Sequence, residues 1–172
     1  MTFRDVVRQH IGPPVNIEAI IRGVGIQLDK KAELDTEISG QLERLGPGSY
    51  RISANKADNY FRQRFTMAHE LGHYMLHAHL IGDGVDDTTA YRSLPKGNFY
   101  NPNITPTEET EANKVAAELL MPRSLLAVES IAGRDLSALA KLFQVSSRAM
   151  QIRLTGLGFA IDENGVIAVA TP

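Results

Sequence analysis

Between Asn59 and His79 no proline interrupts the chain, and apolar residues recur at helical spacing: Phe61, Phe65, Ala68, Met75 and Leu76. This run predicts one long helix, from about Asp58 or Asn59 to His79, with Asp58 as its N-cap. A chain of 172 residues fits one compact domain, or one with a small appendage, and a helix this long must lie against its core. The helix also carries His69-Glu70-Leu71-Gly72-His73, an H-E-x-x-H spacing. With 5 His in 172 residues, that spacing arises by chance about 0.01 times per chain.

On a helix, His69 and His73 project from one face, one turn apart, so both imidazoles can reach one zinc ion. Glu70 lies about 100° round the helix, too far to join them as a ligand. It is placed instead to act as general base on a water held at the metal. Gly72 costs the helix about 1 kcal/mol relative to alanine, which points to another backbone packing closely there. The competing view is a plain amphipathic helix. Phe61, Phe65, Ala68, Met75 and Leu76 then face the core, and His69 and His73 stand on the surface.

A catalytic zinc takes three protein ligands and keeps one open position. Thr105-Pro106-Thr107-Glu108 opens a second helix with a capping box and proline at N1, and Pro122 stops it after about Met121. In this helix Glu108, Glu111, Lys114 and Glu118 form one charged stripe that reads as a solvated face. Glu109, Ala112, Asn113, Ala116 and Leu120 form the inward stripe, which makes Glu109 the candidate third ligand and Glu111 the runner-up. Alternatively, Glu109 is an exposed carboxylate favoured by the helix dipole. Asn113, one turn beyond Glu109, is a candidate partner for the ring of a ligating histidine. His77, one turn past His73, either touches substrate or oxyanion, or complements the dipole at the helix end. Tyr74, Tyr91 and Tyr100 are candidate oxyanion donors.

Before the long helix, Pro13 and Pro14 start a short helix, Val15 to Arg22, and Gly25 to Leu28 reads as a strand. Two extended runs follow between Leu34 and Asn55, turning at Gly46-Pro47-Gly48. Tyr50, Ile52 and Ala54 alternate with Arg51, Ser53 and Asn55, the period of a half-buried strand. Residues 81–104 are rich in turn formers, and a loop this long is functional or mobile. After Pro122 come short helices, Arg123 to Ile131, Asp135 to Phe143 and Ser146 to Thr155, then a hairpin, Phe159 to Ala170, turning at Glu163-Asn164-Gly165.

The chain therefore divides into a core, 1–122, and a helical segment with a terminal hairpin, 123–172, packed on that core. Residues 135–154 have a helix-turn-helix look. However, Arg134, Lys141, Arg148 and Arg153 against Asp135 make a thinner basic excess than DNA binders carry. A packing or substrate-docking role is favoured for them. The net charge of −2 and pI near 6.2 provide no global basic field, so nucleic acid is not expected as a partner. The absence of cysteine excludes disulfides, thiolate metal sites and cysteine nucleophiles, and fits a reducing compartment. Neither a signal-peptide core nor an apolar run of about 20 residues is present, so the expectation is a soluble cytoplasmic protein without membrane contact.

Three stretches, RQRFTMAHELGHYMLH, the preceding YRISANKADN and the later EETEANKVAAELLMP, together resemble the ImmA/IrrE family of zinc metallo-endopeptidases over roughly residues 15–155. The resemblance implies an α+β, gluzincin-like minimal metallopeptidase. In it a small antiparallel or mixed sheet packs on an active-site helix and a glutamate helix, followed by the helix-turn-helix-like segment and hairpin. It implies His69 and His73 as ligands, Glu70 as base, and Glu109 as third ligand, the first Glu of an E-x-x-A-N pattern. The cofactor would be zinc, with manganese as the alternative ion. The substrate would be a helix-turn-helix repressor, cut at one site to release phage, mobile-element or stress genes. Val115 departs from the family's usual phenylalanine. The pre-helix strand would bind substrate by edge addition. Two other classes stay open: a DNA-binding regulator using 135–170 with a non-catalytic metal site, and an antitoxin-like protein-binding module without proteolysis.

Overall fold

Gly48 takes φ of 71° in the turn after Gly46, which folds residues 40–55 back on themselves as a hairpin. Around that hairpin the computed structural model describes residues 2–81, 89–91, 104–127 and 131–170. Its helices are α1 (Phe3–His10), α2 (Ile17–Gly23), α3 (Tyr60–His77), α4 (Pro106–Leu120), α5 (Leu136–Phe143) and α6 (Ser147–Gly156). Its strands are β1 (Gln27–Ala32), β2 (Gly40–Gly46), β3 (Ser49–Asn55), β4 (Thr89–Tyr91), β5 (Phe159–Ile161) and β6 (Ile167–Val169). The larger sheet is mixed, in the order β1-β3-β2-β4, with β1 parallel to β3 and the other pairs antiparallel. The fold is α+β with a small mixed sheet, as expected. No helix among the described residues is long and apolar enough to cross a membrane.

Two expectations for β3 are corrected. It lies between β1 and β2, so both of its edges are paired and it cannot take a substrate strand by edge addition. Its alternation also fails: Ser53 and Asn55 are as buried as Ile52 and Ala54. A central strand covered on both faces has no solvent side, and its polar residues need internal partners. Asn55 finds them by donating from Nδ2 to the carbonyls of Leu34, Asp35 and Ile38 at 3.2, 3.1 and 2.8 Å.

Helix α3 starts from Asn59, whose Oδ1 accepts from the Arg62 amide at 3.0 Å. Asp58, expected as the cap, pairs with the Arg62 side chain at 3.2 Å instead. The buried face of α3 is Thr66, Met67, Ala68, His69, Glu70, Leu71, His73 and His77, whereas Phe61, Met75 and Leu76 are exposed. The amphipathic helix with surface histidines is thereby overturned. Two glycines explain how closely this face is covered. A Cβ at Gly40 would lie 2.2 Å from Thr66 Cγ2 and 2.9 Å from the Ser53 carbonyl, so the start of β2 passes directly against α3. A Cβ at Gly72 would lie 3.0 Å from the Ala112 carbonyl, so the backbone that Gly72 admits is that of α4.

The C-terminal helices dock on the same frame. Gln144 turns the chain between α5 and α6 at φ 53°, accepting from Tyr60 Oη at 2.8 Å and, through its carbonyl, from Arg64 Nε at 3.1 Å. The buried Arg64 also donates to the Val15 carbonyl at 2.9 Å, tying three parts of the chain together. Arg153 donates from Nε to the Met121 carbonyl at 3.0 Å and pairs with Glu118. One apolar cluster runs from Val6 and Ile20 through Leu42, Ile52 and Leu71 to Leu120, Phe143 and Leu154.

Other differences from the sequence reading are local. Helix α1 went unpredicted; in FRDVVRQH only Val6 is buried, and the helix leans on a Thr2–Asp5 capping box. Strand β1 sits later than Gly25–Leu28, and β4 falls inside the expected 81–104 loop, whose other residues from 82 to 103 lie outside the described set. Of the expected Arg123–Ile131 helix, Arg123–Leu125 form a single 3-10 turn and 128–130 lie outside the described residues.

Candidate metal centre

Helices α3 and α4 bring three donors to one point. His69 Nε2 and His73 Nε2 are 3.0 Å apart, His73 Nε2 is 3.1 Å from Glu109 Oε1, and His69 Nε2 is 3.3 Å from Glu109 Oε2. An ion bonded tetrahedrally at about 2.0–2.1 Å sets its donor atoms roughly 3.3–3.4 Å apart. The observed triangle is slightly tighter than that and matches it in shape, so these side chains could hold a metal ion. Both histidines are buried, while the Glu109 side chain is 35% exposed, which leaves the centre walled by α3 and open along α4. Burial pushes the Glu109 carboxyl up, but hydrogen bonds from His69 and then His73 outweigh it and hold the group far below the usual carboxylate range. It is an anionic donor.

The carboxylates of α4 separate by position on the helix. Glu108 closes the capping box, accepting from the Thr105 amide at 2.8 Å. Glu118 pairs with Arg153. Glu111, the runner-up ligand, accepts from His77 Nε2 at 3.0 Å and stands outside the three-donor group. Only Glu109 faces the two imidazoles among these four.

Both histidine rings present Nε2 to the group and are held from behind at Nδ1. His69 Nδ1 lies 3.0 Å from Asn113 Oδ1, and His73 Nδ1 lies 3.1 Å from His77 Nδ1. Asn113 is itself exposed, at the rim of the inward stripe formed by the buried Ala112, Ala116 and Leu120. Glu70 is fully buried beside His69, with its Cγ 3.7 Å from where a Cβ on Gly40 would stand, so it lies on the β2 side of α3. Tyr74 packs edge-on against Tyr50 of β3, ring centroids 5.1 Å apart. The Tyr91 and Tyr100 side chains lie outside the described residues.

The link from His73 through His77 to Glu111 was missed by the sequence reading. Its signal was present: His77 continues the four-residue step of His69 and His73, so it shares their face of the helix. Burial of that face converts a helix-end residue into an internal one.

A further feature adjoins α3. An open groove of about 730 Å³ is lined by Tyr60, Phe61 and Phe65 from α3 and by Val145, Ala149 and Ile152 at α6. Phe65, on its rim, precedes His69 by four residues, about 6 Å along the helix axis.

A family model described as Peptidase_M78, IrrE N-terminal-like domain, matches residues 33–155, which span every residue of the metal centre. No curated protein matches the chain.

Proposed function

The chain belongs to the Peptidase_M78 family, and from that premise we propose that it is a zinc-dependent endopeptidase making one site-specific cut in a helix-turn-helix repressor. Family membership carries the metallopeptidase-type function and a protein as substrate. The observation that supports the finer reading is the triangle of two buried imidazoles and one carboxylate at 3.0–3.3 Å, with a buried glutamate next to the first histidine. The repressor as substrate rests on the resemblance of the three sequence stretches to ImmA/IrrE proteins.

In this reading His69, His73 and Glu109 hold the ion, zinc or alternatively manganese. When bound, it supplies Lewis acidity, acidifying a water toward neutral pH and polarising the scissile carbonyl. Glu70 takes the proton from the attacking water and returns it to the leaving amine. Asn113 fixes the His69 ring so that Nε2 keeps its lone pair toward the centre. Substrate docking falls to the C-terminal helices, and the apolar groove between α3 and α6 supports that placement. The DNA-binding alternative is weakened because Arg153 and the Gln144 turn are already engaged with α3 and α4.

The test compares wild type with Glu70→Gln, each loaded with zinc or manganese. The substrates are a proteome-derived peptide library and any helix-turn-helix repressor found encoded beside this gene, with products read by mass spectrometry. Wild type should cut, and Glu70→Gln should bind metal and fold yet cut about 10²–10⁴-fold more slowly. Equal cutting by both, or none by wild type, removes the peptidase reading. A salt titration with duplex DNA checks the alternative, for which binding at moderate salt is required.

A further inference from the structure

We propose that His77 and Glu111 are positioning residues for His73, a carboxylate–imidazole–imidazole chain that fixes which nitrogen of His73 faces the metal centre. This rests on the metal-centre reading above. His77 is 4% exposed, and both of its ring nitrogens are engaged, Nδ1 with His73 Nδ1 at 3.1 Å and Nε2 with Glu111 Oε2 at 3.0 Å.

With an ion held at the centre, the protons along this chain follow from the contacts. His73 turns Nε2 toward His69 and Glu109, so a ligating His73 carries its lone pair there and its hydrogen on Nδ1. That Nδ1–H donates to His77 Nδ1, which must accept. The one hydrogen of a neutral His77 then sits on Nε2 and donates to the Glu111 carboxylate, which can only accept. Every contact from His73 Nδ1 to Glu111 is then satisfied. The opposite assignment puts a hydrogen on His73 Nε2, pointing into the donor triangle, and leaves a bare His77 Nε2 lone pair facing an anion. Glu111 therefore selects the tautomer of His73 from two residues away, through His77.

The two ligand rings are held unequally. His69 is held by the neutral amide oxygen of Asn113, and His73 by an imidazole backed by a negative charge. Partners of this kind orient a ligand and raise its basicity, and their loss typically costs 10–100-fold in metal affinity.

Zinc affinity is measured by competition with a chromophoric chelator, alongside the visible spectrum of the cobalt-loaded protein and the thermal unfolding of the metal-free protein. His77→Phe and Glu111→Ala should each lower zinc affinity about 10–100-fold and shift the cobalt bands. Glu111→Gln, which keeps an oxygen acceptor but loses the charge and can also donate, should recover only part of the loss. Glu111→Ala should add little in the His77→Phe background, because both changes break one chain. Glu118→Ala, a carboxylate on the same exposed stripe, should leave affinity and spectrum unchanged. Should His77→Phe fail to fold, Glu111→Ala still decides, since that side chain is 49% exposed. Wild-type affinity and an unshifted spectrum in Glu111→Ala overturn the positioning role while leaving the metal centre intact. If the wild-type protein itself binds neither zinc nor cobalt, the metal centre and its positioning chain fall together.

Discussion

Helices α3 and α6 both start from a side-chain cap, Asn59 and Ser146, yet they differ in what they bury beside their apolar residues. Helix α6 buries Met150 and Leu154 and leaves Ile152 59% exposed. Helix α3 buries Met67, Ala68 and Leu71, but with them three histidines, a glutamate, an arginine and a threonine, and it leaves Phe61, Met75 and Leu76 outside. Apolar burial needs no further cause. Burying imidazole and carboxylate is unfavourable unless each finds a partner, at several kcal/mol for an uncompensated charge. The mixed burial of α3 thus sets apart the helix on which the proposed chemistry rests, and the ordinary pattern of α6 fits one that packs and presents a surface.

The largest expected effect attacks the α3 side. Glu70→Gln should lower the cleavage rate by about 10²–10⁴-fold, the usual contribution of a positioned general base, with zinc affinity and unfolding temperature little changed. A fall in rate accompanied by equal loss of zinc would mean that Glu70 supports the fold of the centre rather than the proton transfer.

Next comes the contact that presses α3 against the sheet. Gly40→Ala places a Cβ 2.2 Å from Thr66 Cγ2 and 2.9 Å from a strand carbonyl, of which only the first can move. A cost of about 1–3 kcal/mol is expected for this overpacking, read as a lowered midpoint in urea. An unchanged midpoint would show that β2 can slide away from α3, and that the centre is less tightly walled than its burial indicates.

How much of this was legible in the sequence follows the same division. Capped, periodic elements were readable to within a residue or two: α4 from Thr105 to Pro122, α5 from Asp135, α6 from Ser146, and the hairpin at Gly165. Local hydrogen bonds at caps and turns are set by neighbours in sequence, so sequence records them. The helical phase of α4 likewise separated Glu109 from Glu108, Glu111 and Glu118 before any contact was known. What sequence could not show was the outcome of packing from distant segments. The buried face of α3 was misjudged because β2 and α4 cover its polar side. Alternation in β3 failed because both of its faces are covered, and Asn55 serves the Leu34–Ile38 turn. His77 looked like a helix end until Glu111 arrived from another helix.

On the α6 side, Ile152→Lys should change stability by no more than about 0.5 kcal/mol, as exposed substitutions do. Its effect should appear in recognition: slower cutting of the whole repressor, with a short peptide spanning the same bond cut at the wild-type rate. Equal slowing of both substrates would place Ile152's influence on the centre rather than on docking, and would erase the division between the two helices.

The smallest effect lies at the start of α5, where Asp135 caps the helix. The Asp135 carboxyl is held below its ordinary value of 3.8 because it accepts from the Ala138 amide and the Ser137 hydroxyl. A carboxylate with a depressed folded pKa stabilises the protein above its unfolded pKa, and that contribution disappears as pH falls through the folded value. Wild type should therefore lose a small increment of stability below about pH 4 that Asp135→Asn lacks, since the amide oxygen caps without titrating. Comparing the two proteins cancels Asp5, Glu18, Glu108 and Glu109, whose carboxyls are also lowered and are common to both. The measurement is the difference in unfolding midpoint between pH 7 and pH 3. A difference that stays flat over that range would mean that the cap is not formed when α5 docks, and that the buried Leu139 and Phe143 and the Gln144 contacts with α3 hold this segment without it.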